Sequence, residues 1–122
     1  MRMVEDAAGM GTDQVRENIR YAREIGMPLF PSLKMQDTAR QGAERCGWLK
    51  WKYGKDVCFG GDDGDRNTWA YDFTNRLVQE NKLAMVREML EDYEADGIEL
   101  DFMFYPVYFR PGEVDTLSLI HI

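Results

Sequence analysis

The sequence predicts an α/β protein with a parallel sheet covered by helices. Three observations support this prediction. The predicted elements follow the order helix, strand, long loop, helix, strand, and both connections from a helix to a strand are tight. The chain has 122 residues, of which 44% are hydrophobic and 30% charged, so it can form a core. Two strands cannot bury both helices, so we expect further chain or a partner to cover them.

The first predicted helix begins at Thr12 or Asp13, which suit an N-terminal turn, and ends at Gly26. Its apolar positions recur at i, i+4, i+7 and i+10, which is the spacing of one helix face. These positions are Val15, Ile19, Ala22 and Ile25. An apolar run with two prolines follows, and it predicts a strand over residues 28–34 with restricted ladder bonding.

Residues 36–71 show no sustained period and predict a long loop that contains a short helix around residues 42–51. Loops of this length in a compact domain are usually functional or poorly ordered. Residues 71–73 predict a short extended piece. A second helix is predicted from Thr74 or Asn75, good N-caps, to about Tyr93. Its predicted apolar face comprises Val78, Met85, Met89 and Tyr93, flanked by Leu83, Val86 and Leu90.

The strict alternation over residues 98–102 predicts a strand that begins after Gly97. Glu99 and Asp101 share one face of this strand, about 7 Å apart along the backbone. In a parallel barrel the acidic face points to the interior, and Asp101 lies near the C-terminal mouth, where barrel enzymes have their active sites. An edge strand with both acids in water explains the alternation equally well.

The segment DGIELDFM at residues 96–103, preceded by WAYDFTN at residues 69–75 and a helix, resembles the glycosyl-hydrolase-like (β/α)8-barrel proteins of environmental bacteria. GMPLFPSLKMQD at residues 26–37 resembles their second motif, a strand that ends in Ser-x-Arg-Met-Asn-Asp. The resemblance covers roughly residues 12–109. It implies a partial (β/α)8 TIM barrel, with about two parallel strands, and hydrolysis of O-glycosidic bonds by paired carboxylates. A complete barrel has about 250 residues.

The resemblance implies that Asp101 and Glu99 are the catalytic acids, with Asp101 nearer the mouth. Glycoside cleavage needs two carboxyls on opposite sides of the sugar, and two acids on one strand do not supply this arrangement. We therefore expect the second carboxylate on a strand outside this chain, and an inactive isolated chain. Lys34, Asp37 and Tyr71 are implied substrate-binding residues at the mouth, with solvated loop ends as the alternative for each.

Aromatic side chains are concentrated around the long loop: Trp48, Trp51, Tyr53, Phe59 and Trp69. Aromatic faces stack on sugar rings, so Trp48 and Trp69 are predicted to bind carbohydrate. The alternative is that these side chains pack the loop onto the domain. We expect this packing for at least two of the three tryptophans.

Four positions depart from the family pattern. Lys34 and Gln36 stand where the pattern has Arg and Asn, and residues 104–105 (Phe-Tyr) stand where an Arg-His pair is common. These departures favour an alternative function, a non-catalytic carbohydrate-binding or interaction barrel. A further alternative is a small independent α/β protein that associates with itself through its sheet edges.

Composition and motifs exclude several classes of function. The formal net charge of −7 argues against nucleic acid and anionic membranes as partners, and no apolar run is long enough to span a membrane. The sequence contains no cofactor motif. The glycine- and aspartate-rich residues 60–65 invite comparison with a calcium loop, but they lack EF-hand spacing, so no metal motif is present either. Cys46 and Cys58 are predicted to be free, buried thiols, with one disulfide as the alternative.

The last six residues, LSLIHI at 117–122, resemble the in-frame translation of a transposase adapter used in sequencing libraries. We expect this tail to be artefactual, so that the barrel fragment comprises residues 1–116. A genuine apolar tail that packs as a short strand is the alternative. The first residues are too acidic and contain too few apolar side chains for a signal peptide.

Overall fold

The computed structural model describes residues 12–60, 66–103, 105 and 107–109. The elements in chain order are α1 (Gln14–Glu24), β1 (Ser32–Lys34), α2 (Trp48–Tyr53), α3 (Arg76–Arg87) and β2 (Glu99–Asp101). Two 3₁₀ turns, Gly54–Val57 and Arg66–Trp69, and a π-helical turn, Glu88–Asp92, complete the set. The predictions for residues 61–65, for the N-terminal segment before residue 12 and for the tail at 117–122 lie outside the described residues. None of the described helices is long and apolar enough to cross a membrane.

Strands β1 and β2 form a two-stranded parallel sheet, which confirms the predicted parallel pairing. Two backbone hydrogen bonds define the register: Glu99 N–H donates to the Pro31 carbonyl at 2.9 Å, and Met35 N–H donates to the Asp101 carbonyl at 2.9 Å. Residue numbers rise along both strands from the first bond to the second, as parallel strands require. The carboxyl ends of β1 and β2 therefore lie at the same edge of the sheet.

Both strands are shorter than the predicted ranges of residues 28–34 and 98–102. Pro28 and Pro31 have no N–H to donate to a ladder, and the Leu29 N–H donates to the Asp96 carboxylate at 3.0 Å instead. β1 is therefore limited to Ser32–Lys34. In β2 the apolar face that was predicted to pack under helices remains partly open, since Leu100 is 40% exposed.

Helix α1 follows its prediction closely. Asp13 is the N-cap, and its Oδ1 accepts a hydrogen bond from Arg16 N–H at 2.9 Å. Ile19 and Ala22 are buried, as the helical spacing predicted. Ile25 is 53% exposed and does not join them, because the helix ends before it and Gly26 adopts a φ of 71°.

Helix α2 begins later than the predicted range of residues 42–51. Gly42 has a φ of 82°, a left-handed conformation that cannot start a helix, and Gly47 is the N-cap instead. The six-residue helix ends at Gly54, whose φ of 57° again requires glycine. Its position places Leu49 and Lys50 in the interior.

Helix α3 starts where predicted, because Asn75 Oδ1 accepts a hydrogen bond from Leu77 N–H at 2.8 Å. Val78 is fully buried, whereas Leu83 is 55% exposed, so the predicted apolar face is only partly confirmed. The buried position that the prediction omitted is Lys82. A charged side chain therefore joins Val78 on the buried face of this helix.

The chain divides into two compact units. The first comprises Met1–Leu33 and Met85–Glu99, and the second comprises Lys34–Ala84 and Leu100–Ile122. In the first unit, the Tyr93 hydroxyl donates to Asp13 Oδ2 at 2.8 Å. The second unit contains a hydrophobic core, which is formed by Leu49, Val57, Cys58, Tyr71 and Val78. Three partly buried aromatic side chains pack against it: Tyr53, Trp69 and Phe73.

Replacing Val78 with Ala should lower the free energy of unfolding by about 2 kcal/mol, because the side chain is fully buried in the core of the second unit and its loss leaves a cavity. Leu83→Ala in the same helix is the control, since Leu83 is 55% exposed. Urea unfolding followed by circular dichroism measures both changes. An equal loss of stability in the two variants would contradict the assignment of Val78 to the core.

Candidate functional site

Tyr71 forms an antiparallel bridge with Cys58, which confirms part of the extended piece predicted at residues 71–73. The flanking backbone makes the bridge: Asp72 N–H donates to the Val57 carbonyl at 3.0 Å, and Phe59 N–H donates to the Ala70 carbonyl at 3.1 Å. This pattern leaves the N–H and C=O of Tyr71 for a partner on its other side.

The side chain of Gln36 is that partner. Its Oε1 accepts from the N–H groups of Tyr71 at 2.7 Å and Asp37 at 3.0 Å. Its Nε2 donates to the carbonyls of Tyr71 at 2.9 Å and Val107 at 2.6 Å. A primary amide has two donors and a carbonyl oxygen that accepts two bonds, so all its hydrogen-bonding capacity is used. Gln36 is fully buried and has no polar group left for a ligand.

Lys50 brings a buried ammonium group to the ring of Tyr71. Its Nζ lies 4.4 Å from the ring centroid and donates to the carbonyls of Asp37 at 2.7 Å and Ala39 at 3.0 Å. The Asp37 carboxylate is 3.8 Å away. Burial lowers the pKa of Lys50, while the negative charge of Asp37 opposes that shift.

Lys82 approaches the same ring from α3. Its Nζ lies 5.3 Å from the Tyr71 centroid and donates to the Lys34 carbonyl at 3.1 Å. Burial lowers the pKa of Lys82. Burial also raises the pKa of Tyr71, and the nearby Asp37 charge adds to this effect, so the phenol stays neutral. We call Gln36, Asp37, Lys50, Tyr71 and Lys82 the Tyr71 cluster.

The three implied mouth residues Lys34, Asp37 and Tyr71 lie in the second unit, and the two lysines of the cluster connect them. Asp37 Oδ1 accepts from Ala39 N–H at 2.9 Å, which fixes its carboxylate after the end of β1. Tyr71 is only 5% exposed, so its ring supports the segment rather than offering a surface.

Asp101 ends β2, and its carboxylate is half-buried. Oδ1 accepts from Met103 N–H at 2.9 Å. Tyr108 lies nearby, and burial followed by the negative charge of Asp101 raises the pKa of Tyr108. The Tyr108 hydroxyl donates to the Phe102 carbonyl at 3.0 Å, and its ring packs on Phe73 with centroids 5.2 Å apart. The Tyr108 side chain therefore lies next to the carboxyl end of β2, beside Asp101.

Glu99 belongs to the first unit and is exposed. Its Oε1 accepts a hydrogen bond from the Ser32 hydroxyl at 3.0 Å. A carboxylate with one hydroxyl donor at the surface keeps most of its contact with water.

The prediction that at least two tryptophans pack the loop is wrong. Trp48 and Trp51 are 59% and 67% exposed, because α2 turns Leu49 inward and is too short to bury a second face. Trp69 is half-buried and lies 5.4 Å from Lys55 Nζ. Across the ranges that the structure describes, the buried Trp69 Nε1 has no acceptor.

Sequence reasoning missed Lys50, Lys82 and Tyr108. Lys82 follows Val78 by four positions, so the helical spacing already placed it on the buried face. Lys50 and Tyr108 stand in segments without periodicity, and no local signal marks them. Both cysteines are free as predicted, but only Cys58 is buried and Cys46 is half-buried.

Among the described residues, no group of three or more histidine, cysteine or acidic side chains is arranged to hold a metal ion. No protein-family model matches the chain, and no curated protein is significantly similar to it.

Replacing Gln36 with Leu should lower the free energy of unfolding by at least about 3 kcal/mol, because it leaves buried backbone groups without hydrogen bonds. Gln41→Leu is the matched control, since Gln41 is exposed and its amide donates to the Trp51 carbonyl at the surface. Chemical unfolding measures both variants. A Gln36→Leu protein as stable as the control would show that Tyr71 does not depend on this amide.

The two thiols should differ in reactivity. Burial raises the pKa of Cys58 to about 11, so at pH 8 this group is almost entirely thiol and is shielded from reagents. Iodoacetamide at pH 8 should therefore modify Cys46 in the native protein and both cysteines in urea. Mass spectrometry of the digested protein identifies the labelled residue, and rapid native labelling of Cys58 would refute its burial.

Proposed function

We propose that this chain is part of a glycoside-hydrolase-like (β/α)8 barrel and binds carbohydrate at the carboxyl ends of its strands. The observation that supports this most is the parallel register in which Met35 N–H bonds to the Asp101 carbonyl. It brings Asp101 and the segment after β1 to one edge of the sheet. In (β/α)8 enzymes the residues at this edge form the active site.

Asp101 is the proposed acidic residue of the site, with Glu99 as the second acid. The Met103 N–H orients Asp101 through Oδ1, and within the described ranges Oδ2 has no hydrogen bond, so it is available to a sugar hydroxyl. Lys34 is the last residue of the neighbouring strand and Asp37 lies in the segment after it, and these two are the proposed polar contacts. The reaction of the complete barrel is hydrolysis of an O-glycosidic bond.

We also propose that the isolated chain does not catalyse hydrolysis. One carboxyl must protonate the leaving oxygen while the other attacks or activates water from the opposite side of the sugar. Glu99 and Asp101 alternate on a single strand, so they approach a sugar from the same side. The partner carboxylate is proposed to come from another strand of the barrel.

A barrel that binds carbohydrate without cleaving it is the second candidate, and the Tyr71 cluster favours it. The polar groups of Gln36, Lys50 and Lys82 bind backbone carbonyls and are buried. These side chains hold the end of β1 in place rather than contacting a ligand. A second carboxylate at a strand end of the complete protein distinguishes the hydrolase from this alternative.

Carbohydrate binding is tested by isothermal titration of the chain with a panel of oligosaccharides. We expect saturable binding of at least one sugar, and a loss of about tenfold in affinity in Asp101→Asn, because a charged hydrogen bond to the sugar is removed. Glu91→Gln, a change of an exposed acid in the turn after α3, should leave affinity unchanged. Absence of binding across the panel would refute the proposal.

Catalysis is tested separately with aryl glycosides. The isolated chain should release no aryl alcohol above the rate of a heat-denatured sample, because it lacks the opposing carboxylate. If the isolated chain turns over the substrate and Asp101→Asn abolishes this turnover, the expected inactivity is wrong. Both catalytic carboxyls would then belong to this chain.

A further inference from the structure

The outer face of α2 combines two exposed tryptophans with a lysine ammonium group. Trp48 and Trp51 are 59% and 67% exposed, and Lys52 is also exposed. Residues three and four positions apart lie on the same helix face, so Trp48, Trp51 and Lys52 form a continuous surface. Lys52 Nζ lies 5.2 Å from the Trp48 ring. We call these three residues the α2 surface.

The interior contacts of α2 prevent this surface from turning inward. Leu49 is 4% exposed and Lys50 is fully buried, with its ammonium bound to two carbonyls. Rotation of the helix to bury Trp51 would remove those hydrogen bonds and expose Leu49. A contiguous exposed aromatic surface on a folded domain marks a binding site.

The α2 surface also carries unneutralised positive charge. The chain has 22 Asp and Glu against 15 Lys and Arg, yet in the part that the structure describes no carboxylate lies within ion-pair distance of Lys52. Within the described residues its ammonium group lies near two aromatic rings, 5.2 Å from the centroid of Trp48 and 5.2 Å from that of Tyr53. The favourable additional partner is therefore an anion.

A sugar acid matches both parts of the surface. The C–H face of a pyranose ring is apolar and packs on the negative face of an indole ring. A carboxylate of the same oligosaccharide pairs with an ammonium group on the same surface. A nucleic acid strand instead requires a track of cations along its phosphates, and the net charge of −7 opposes such a polyanion.

We infer that the α2 surface binds an oligosaccharide that contains uronic acid residues, with one sugar ring on Trp51 and a carboxylate at Lys52 Nζ, on the two sides of Trp48. This inference rests on the proposed carbohydrate function and adds the class of sugar and the residues that select it. The Trp48 ring, one turn before Lys52, lies next to the Lys52 ammonium group.

The test compares a galacturonic acid trisaccharide with its methyl ester, which keeps the rings and removes the charge. Titration of the whole chain should show binding of the acid about threefold tighter than the ester, with the difference reduced at high salt. Lys52→Gln should remove the difference. Trp51→Ala should weaken both ligands about tenfold, because a stacking ring is lost.

Two variants control for the loss of an exposed ring and of an exposed charge. Tyr21→Ala removes a ring that is 61% exposed on α1, and Arg87→Gln removes an exposed charge at the end of α3. Both should bind the acid as the unmodified chain does. Circular dichroism spectra confirm that all four variants fold.

Each other outcome overturns the inference in a different way. Equal affinity for acid and ester refutes selection of a sugar acid and leaves the carbohydrate proposal standing. If neither Trp51→Ala nor Lys52→Gln changes the affinity for the acid, the sugar binds elsewhere on the chain. Tighter binding of a thymidylate oligomer assigns the surface to single-stranded nucleic acid. Failure of both trisaccharides and of the neutral panel refutes this inference and the proposed function together.

Discussion

The structure around the candidate site depends on the side-chain amide of Gln36. Tyr71 pairs with Cys58 on one side, and on the other side a further strand would normally satisfy its N–H and C=O. One glutamine satisfies both groups, at 2.7 and 2.9 Å, and also binds the next residue, Asp37. Because an unpaired buried peptide group is costly, this amide determines where Tyr71 lies relative to the end of β1.

The two buried lysines act on the same ring. Burying an ammonium group is unfavourable unless hydrogen bonds and charge compensate it. Three backbone carbonyls, the Asp37 carboxylate and the face of the Tyr71 ring supply that compensation. The contacts connect α2, α3 and the end of β1 through polar groups, with Val78 and the apolar core beside them. The four buried members of the Tyr71 cluster, Gln36, Lys50, Tyr71 and Lys82, are therefore a structural support, and the groups available to a ligand lie outside these four.

Helix α2 shows how one short element divides these roles. Lys50 and Lys52 are two positions apart, so the first ammonium is buried against backbone carbonyls and the second lies at the surface beside Trp48. Leu49 and Trp51 are also two positions apart, and Leu49 is buried whereas Trp51 is exposed. The proposed sugar contacts therefore belong to the outer face, whose position depends on the polar contacts of the inner face. The carboxylate of Asp101 is likewise oriented by a backbone N–H, and among the described residues its second oxygen accepts no hydrogen bond.

The sequence by itself determined the order of the elements, the parallel sheet and, to within one residue, the starts of both long helices, at Thr12 or Asp13 and at Thr74 or Asn75. These features rest on local signals, namely capping side chains, periodicity and short connections. Only the tertiary structure decided that Lys50 is buried and that Trp51 is exposed. For Lys82 the helical spacing already indicated the buried face, and the tertiary structure supplied the carbonyl that its ammonium group binds there. Charged residues are expected outside and tryptophans inside unless particular partners reverse the balance. Those partners, carbonyls and a ring distant in the chain, meet only when the protein folds.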